Sequence, residues 1–405
     1  MASQLQPSTT GAEAEVRRRI QATGPITFAE FMAVALYWPD SGYYAGGSPI
    51  GAAGDFFTAP HAHPAFGALI ARYLQSAWDA MGSPTPFWAV ELGAGTGRLA
   101  ADVVAAAGET DPRFAAALRY VGVDVRQPAP GTGVEWLLAE RPAIRRVRGV
   151  MLANELLDAM PVHRVAMAEG RLVELHVGNG TDGRLEEVEG AAAPALAERL
   201  AELGVTLGEG RKAEINLGLG EWMRRAAGAL EDGYLLLVDY GHNAADYYAP
   251  SRPHGTLRSY YKHTLSMNPY RHVGRQDISA HVELTTLRRE AESAGFATAG
   301  EASQADFLSN LGFDAYRAEL AARPGLAMGV RRANLTAMDS LVDPQGMGGF
   351  RVLAFTKKNN SSAALPGFVA APGLPKGEAP LLGPGHMPRP GAEEPAMPSW
   401  DELMR

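Results

Sequence analysis

Short, continuous apolar runs punctuate this chain at Phe87–Leu92, Tyr120–Val125, Gly149–Ala153, Tyr234–Asp239 and Phe350–Phe355. Runs of four to eight residues without polar alternation predict strands buried on both faces, as in a parallel sheet. Helical spacing fills much of the rest. Ile26–Trp38 carries apolar residues at 26, 28, 31, 32, 34, 35 and 38, and Thr27 with Glu30 forms a capping-box pattern ahead of them. Pro64–Met81, Leu99–Ala107, Ala191–Leu203, Gly218–Leu230, Ser279–Ala294 and Ala302–Leu311 also read as helices. Val162–Val188 alternates about Glu169-Gly170 and Gly178–Gly183, which predicts a β-meander. Strands and helices in alternation predict an α/β fold, an open sheet that binds ligands at the carboxyl ends of its strands.

Composition narrows the setting. At 405 residues the chain can bury a large core. Its hydrophobic fraction is 46%, yet no apolar run reaches the roughly 18–20 residues of a membrane span. Residues 1–20 lack the positive start and apolar core of a signal peptide, and Glu13 and Glu15 count against a mitochondrial presequence, so the default location is cytoplasmic. Cysteine is absent, which removes disulfides, thiolate metal sites and a cysteine nucleophile. The ten histidines show no helical metal-ligand pair, so no metal is expected, and His61 and His63 read as surface or supporting residues. A net charge of −8 argues against nucleic acid. A polar segment spans 1–22, and in 360–405 proline and glycine are so frequent that the segment reads as a disordered tail.

The chemistry concentrates where the first run ends. Glu91 is followed by Gly93, Gly95 and Gly97 at alternate positions, between a strand and a helix. A dinucleotide fingerprint would need glycine at 98, where Arg98 stands, and this disfavours a nicotinamide oxidoreductase. A carboxylate two residues before the glycines suits a cationic ligand without phosphate, and S-adenosylmethionine has that chemistry. An ordinary glycine-rich turn is the competing reading. Asp124 ends the second strand, where an acid accepts hydrogen bonds from ribose hydroxyls. Glu155 and Asp158 are three apart. If Asn154 caps a short helix ended by Pro161, both carboxylates share its face and can grip a guanidinium, or serve only as helix-start acids. The glycine-rich loop from Tyr43-Tyr44 to Pro60 is long enough to be functional. The tyrosine pairs 43–44, 247–248 and 260–261 suggest an aromatic rim or plain packing.

Gly42-Tyr43-Tyr44, Gly54-Asp55-Phe56, the Glu91–Gly97 loop, Asn154–Val162, Asp239-Tyr240-Gly241, Gln276–Val282 and Phe307–Gly312 occur in that order. With them the chain resembles the MidA-like SAM-dependent methyltransferases from about Ile26 to Phe355. That family includes a mitochondrial complex I assembly factor that dimethylates an arginine. The resemblance implies a Rossmann-like class I methyltransferase sheet with an N-terminal helical and loop cap and an inserted β-meander plus helices. It places the methyltransferase domain at 23–359, its core at about 64–161 and 231–300 with 350–357, and the insertion at about 162–230. It further implies S-adenosyl-L-methionine as cofactor, held by Gly54, Asp55, Glu91, Gly93, Gly95, Gly97, Asp124 and Asn154. Glu155 and Asp158 become candidate catalytic residues, and Tyr240, Asp277 and His281 candidate substrate contacts. The implied acceptor is an arginine of a protein, such as a respiratory complex subunit; a small-molecule N- or O-methyltransferase and a non-catalytic assembly chaperone are the alternatives. Neither nucleic acid nor membrane insertion is expected, and a homodimer is left open. Two departures stand out. His61 replaces an acid that usually follows Thr-x-Pro, and Arg126–Gly133 is too short for the usual crossover helix.

Overall fold

The computed structural model describes residues 11–46, 58–127, 134–140, 142, 144–261, 264–266, 268–358, 365–371, 373, 375 and 377–386. Among these residues a seven-stranded sheet forms the centre. Its strands are β1 (Phe87–Leu92), β2 (Leu118–Asp124), β3 (Glu135–Leu138), β4 (Val147–Asn154), β5 (Leu230–Asp239), β6 (Ala297–Ser303) and β7 (Arg351–Lys357). In space they run β6-β7-β5-β4-β1-β2-β3, all parallel except β7, which is antiparallel to both neighbours.

Burial on both faces explains the apolar runs. Phe87 and Ala89 of β1 pack into one layer with Phe66, Leu69, Tyr73, Leu99 and Val103, while Val90 and Leu92 pack into the other with Met151, Met223 and Leu287. The helices that cover the sheet include α3 (Ala65–Ala80) and α4 (Arg98–Thr110) on the first face, and α5 (Leu219–Ala229) and α6 (Leu284–Ser293) on the second. Preceding them in the chain are α1 (Ala12–Thr23) and α2 (Phe28–Tyr37). The Thr27–Glu30 capping box is formed in full. The polar start is not a separate segment, since α1 buries Val16 and Ile20 in a cluster with Phe28, Phe31 and Val177. The meander forms as His163–Ala168, Arg171–Asn179 and Leu185–Ala191, extended by Lys212–Ile215 and Ile26–Thr27.

Three expectations change. The helix expected from Ser279 begins at Leu284, because the Glu283 carboxylate caps it by accepting the Thr285 and Thr286 N–H groups at 2.7 and 2.8 Å. Asp277–Ser279 is instead a strand paired with Arg258–Tyr261. No helix forms over 154–161: Asn154 ends β4 and the chain then turns. The third change concerns the tail, whose described residues, Leu365 to His386, are packed on the helical layer. Leu365, Ala379, Leu382 and His386 are buried, and the Phe368 ring lies 5.3 Å from that of Phe307. Helix side chains satisfy its backbone. Arg72 donates to the Gly373 carbonyl at 2.7 Å, Arg323 to that of Ala379 at 2.6 Å, and Asn334 accepts the Leu382 N–H at 2.7 Å. Asn334 belongs to α7 (Met328–Val342).

Ending the chain at Lys358 uncovers that layer. Each large apolar side chain removed from such a site forfeits about 1.5–3 kcal/mol. The shortened protein should therefore melt several degrees below the full chain in a calorimetric or fluorescence scan. Coincident melting curves would show that the tail contributes nothing.

Candidate active site

The carboxyl ends of β1, β2 and β4 open into a cavity of about 560 Å³. Its floor is the turn after β1, where Gly93, Gly95 and Gly97 have φ of +70°, +57° and +79°. A side chain is disfavoured at all three, and a Cβ on Gly93 would sit 2.7 Å from Leu156 Cδ1. Asp124 fastens the turn by accepting the Gly95 N–H at 2.7 Å and the Arg126 N–H at 2.9 Å. Glu91 is buried and accepts the Tyr120 hydroxyl at 2.8 Å; burial pushes its carboxyl up to about 8.

The wall after β4 is made by Asn154, Glu155 and Leu156. Glu155 takes a left-handed backbone conformation, φ +51°, which is costly for a residue with a Cβ. Its Oε1 accepts the Ala59 N–H at 3.2 Å and the Asn154 amide at 3.0 Å, and burial pushes its carboxyl up to about 8. Asn154 Oδ1 is buried with no hydrogen-bond partner among the described residues. Tyr37 and Tyr44, stacked with centroids 5.6 Å apart, form another wall with Thr58, Pro60 and His61. Of the two readings of His61 and His63, surface or supporting, burial of both excludes the first. His61 bridges the Thr58 and Thr96 hydroxyls at 2.8 and 3.2 Å, and burial lowers its imidazole to about 4. From α5 come Glu221, Trp222 and Arg225.

The structure thus gathers Glu91, Gly93, Gly95, Asp124, Asn154 and Glu155 around one cavity. Gly97 is buried beneath it as the residue preceding α4, and Gly54 and Asp55 lie outside the described residues. Asp158, Tyr240, Asp277 and His281 are not in the cavity wall. Glu155 and Asp158 share no helical face, because no helix forms there. Asp158 belongs to a second group of carboxyls with the buried Asp239 and Asp277, and desolvation, reinforced by their charges, holds its own carboxyl well above the ordinary range. Tyr44 joins the two groups, lining the cavity while its hydroxyl donates to Asp277 Oδ1 at 2.7 Å. The Tyr240 ring lies 4.2 Å from that of His281 and 5.4 Å from that of Phe350.

Sequence reasoning overlooked Asp239 as a site residue. Its Oδ2 accepts the Leu157 and Asp158 N–H groups at 2.9 and 3.3 Å, and its Oδ1 accepts that of Tyr240 at 2.8 Å. Its place at the end of an apolar strand, like Asp124, was the available signal. Trp222 offered none, since it lies within the insertion, far from any motif.

Known proteins carry the same architecture. Residues 69–302 match the family described as S-adenosyl-L-methionine-dependent methyltransferases. The Drosophila melanogaster protein arginine methyltransferase NDUFAF7 homolog, mitochondrial, is 29% identical over 328 residues, 69% of this chain and 70% of its own length. The Homo sapiens protein arginine methyltransferase NDUFAF7, mitochondrial, is 28% identical over 370 residues, covering 82% of this chain and 79% of its own. A crystal structure of a Burkholderia thailandensis protein bound to S-adenosyl-homocysteine superposes with a TM-score of 0.78 at 32% identity, covering 88% of this chain and 94% of that one. The relatives' mitochondrial names overturn the expected cytoplasmic location, which rested on the absence of a recognisable leader.

The raised carboxyls set a pH dependence. A carboxyl at about 8 in the folded chain and near 4.5 unfolded holds its proton more tightly when folded. Its contribution to stability is complete below about pH 4.5 and is lost as pH rises through 8. Glu91→Gln removes this loss. Its melting temperature relative to wild type should climb between pH 5 and pH 8, and a pH-independent difference would contradict the assignment.

Proposed function

The chain belongs to the S-adenosyl-L-methionine-dependent methyltransferase family, and from that premise we propose that its methyl acceptor is an arginine guanidinium of a protein. The observation that carries the reading is the accumulation of buried carboxyls beside the cofactor cavity, with Glu155 in the wall and Asp158, Asp239 and Asp277 joined to it through Tyr44. Buried acids gathered beside the cavity favour a cationic guest, and a planar guanidinium can meet a carboxylate with two parallel hydrogen bonds. The relatives named as protein arginine methyltransferases support the same acceptor.

The residues present suit the cofactor. Glu91 and Asp124 supply carboxylates for its cationic and hydroxyl groups, the glycine turn admits it closely, and the buried Asn154 Oδ1 leaves an acceptor to be satisfied. The cofactor supplies a methyl group on a positively charged sulfur. The protein's task is to orient the acceptor nitrogen and exclude water. Glu155 accepts the guanidinium N–H bonds and localises its charge away from the reacting nitrogen. The methylated nitrogen then has a proton to lose, and a carboxyl that binds protons near neutral pH is placed to take it. Asp158, outside the cavity wall, supports this grip from behind, while Tyr240, Asp277 and His281 belong to the approach of the protein substrate.

Glu155→Gln keeps an oxygen for Ala59 and Asn154 but removes the charge. It should bind S-adenosylhomocysteine nearly as wild type in calorimetry, while turnover falls a hundredfold or more, about 3 kcal/mol of barrier. Asp158→Asn should lose less, and the two losses should not add. Methyl-arginine, detected by mass spectrometry in a lysate incubated with the wild-type protein, is the expected product. Methylation confined to small molecules, or full activity of Glu155→Gln, would refute the proposal. Asp124→Ala should weaken cofactor binding instead, by about 1–3 kcal/mol.

A further inference from the structure

The last described residues, Leu382–His386, pack on the first turns of α4, behind the cavity wall. The Leu382 N–H donates to Asn334 Oδ1, which also receives the Nε2 hydrogen of His63 at 3.1 Å. Four residues on, the buried His386 donates from Nε2 to Asp102 Oδ2 at 3.0 Å. The other oxygen of Asp102 faces Arg98, one turn earlier, at 3.7 Å. The Gly385 backbone covers this guanidinium, for a Cβ there would lie 3.7 Å from Arg98 Cζ. Arg98 lines the cavity beside Thr96 and His61.

Among the described residues three arginines line the cavity. Arg225 is paired with Glu221 at 2.6 Å, and Arg126 donates to the carbonyls of Tyr44 and Tyr43 at 3.1 and 3.4 Å. Arg98 has the long contact with Asp102 and stands at the first position of a thirteen-residue helix. The cofactor carries one carboxylate. The acid-lined wall gives it no positive partner, whereas a guanidinium at a helix amino end attracts it. We propose that His386, acting through Asp102, is a positioning residue that holds Arg98 to the methionyl carboxylate of the cofactor, so that the Leu382–His386 turn supports the cofactor site from outside its wall. Asp102 takes the imidazole N–H on one oxygen and keeps the other turned to the guanidinium. The Gly383–His386 turn thereby fixes where the positive charge lies.

Two probes separate positioning from mere support: S-adenosylhomocysteine, and 5′-methylthioadenosine, which has the same nucleoside but no carboxylate. In calorimetry Arg98→Ala should lower affinity for the first by about tenfold, the scale of a charge-assisted hydrogen bond. His386→Ala should lower it severalfold, and the double variant should bind no more weakly than Arg98→Ala. Affinity for 5′-methylthioadenosine should stay unchanged throughout, and His386→Gln, which still presents an N–H, should recover most of the loss. His386→Phe fills the buried space without a donor and replaces the alanine variant where that variant does not fold. Wild-type binding of S-adenosylhomocysteine by the His386 variants, or equal loss of both probes, would overturn the proposal.

Discussion

The site hangs on the Asp239 carboxylate. One of its oxygens holds the backbone N–H groups of Leu157 and Asp158, and the other holds that of Tyr240. This ties the exit of β4 to the exit of its neighbour β5, so the chain after Asn154 must turn at once. The Glu155 N–H is drawn to the Val238 carbonyl at 2.8 Å, and Glu155 is left with positive φ. Burial pushes the Asp239 carboxyl up to about 7, although backbone hydrogen bonds from Tyr240, Leu157, Asp158 and Leu156 favour its charged form. The cost of burying this acid is repaid in geometry: Glu155 stands in the cavity wall while Asp158 lies outside it, under the influence of Asp239 and Asp277.

That clamp also explains what could not be foreseen at 154–161. Asparagine before a run with Glu155, Leu156 and Leu157, closed by a proline, has the local signature of a capped helix. A contact 82 residues away decides otherwise, and no local pattern encodes it. The parallel strands were legible for the opposite reason. Val90 and Met151 are paired neighbours in a doubly covered sheet, and such strands must be apolar along their whole length. The glycine turn and Asp124 were legible too, because their chemistry lies in contiguous residues. Glu91, Gly93, Gly95, Asp124, Asn154 and Glu155 do meet at one cavity.

The tail shows a different limit. Its proline and glycine content excludes a core of its own, and composition-based reasoning stops there. Yet Leu365, Phe368 and Ala379 enter a layer already formed by Tyr73, Phe307 and Met338, so the segment needs no periodicity. Its backbone polar groups find side chains of Arg72, Arg323 and Asn334 in place of a ladder. A segment of this kind borrows order from its host, and ordering entropy is offset by contacts spread over several helices.

The insertion has an equally integral role. Ten residues join Asp124 to Glu135, and β2 and β3 pair in parallel with no helix among the described residues between them. Trp136 of β3 packs over Gly122, where a Cβ would come within 2.5 Å of its ring. The indole N–H returns to the Arg126 carbonyl at 2.9 Å, bracing the short connection against the sheet. The space a crossover helix would have walled is closed from the other side. Ala139, Glu140 and Pro142 line it after β3, and Glu221, Trp222 and Arg225 line it from the first turns of α5, the helix that follows the meander. Because α5 also buries Met223 and Ala226 against the sheet, its register is fixed by the core. The meander therefore does more than decorate the fold. By delivering α5 at that register, it sets the width of the cavity on the side where the β2–β3 connection is short.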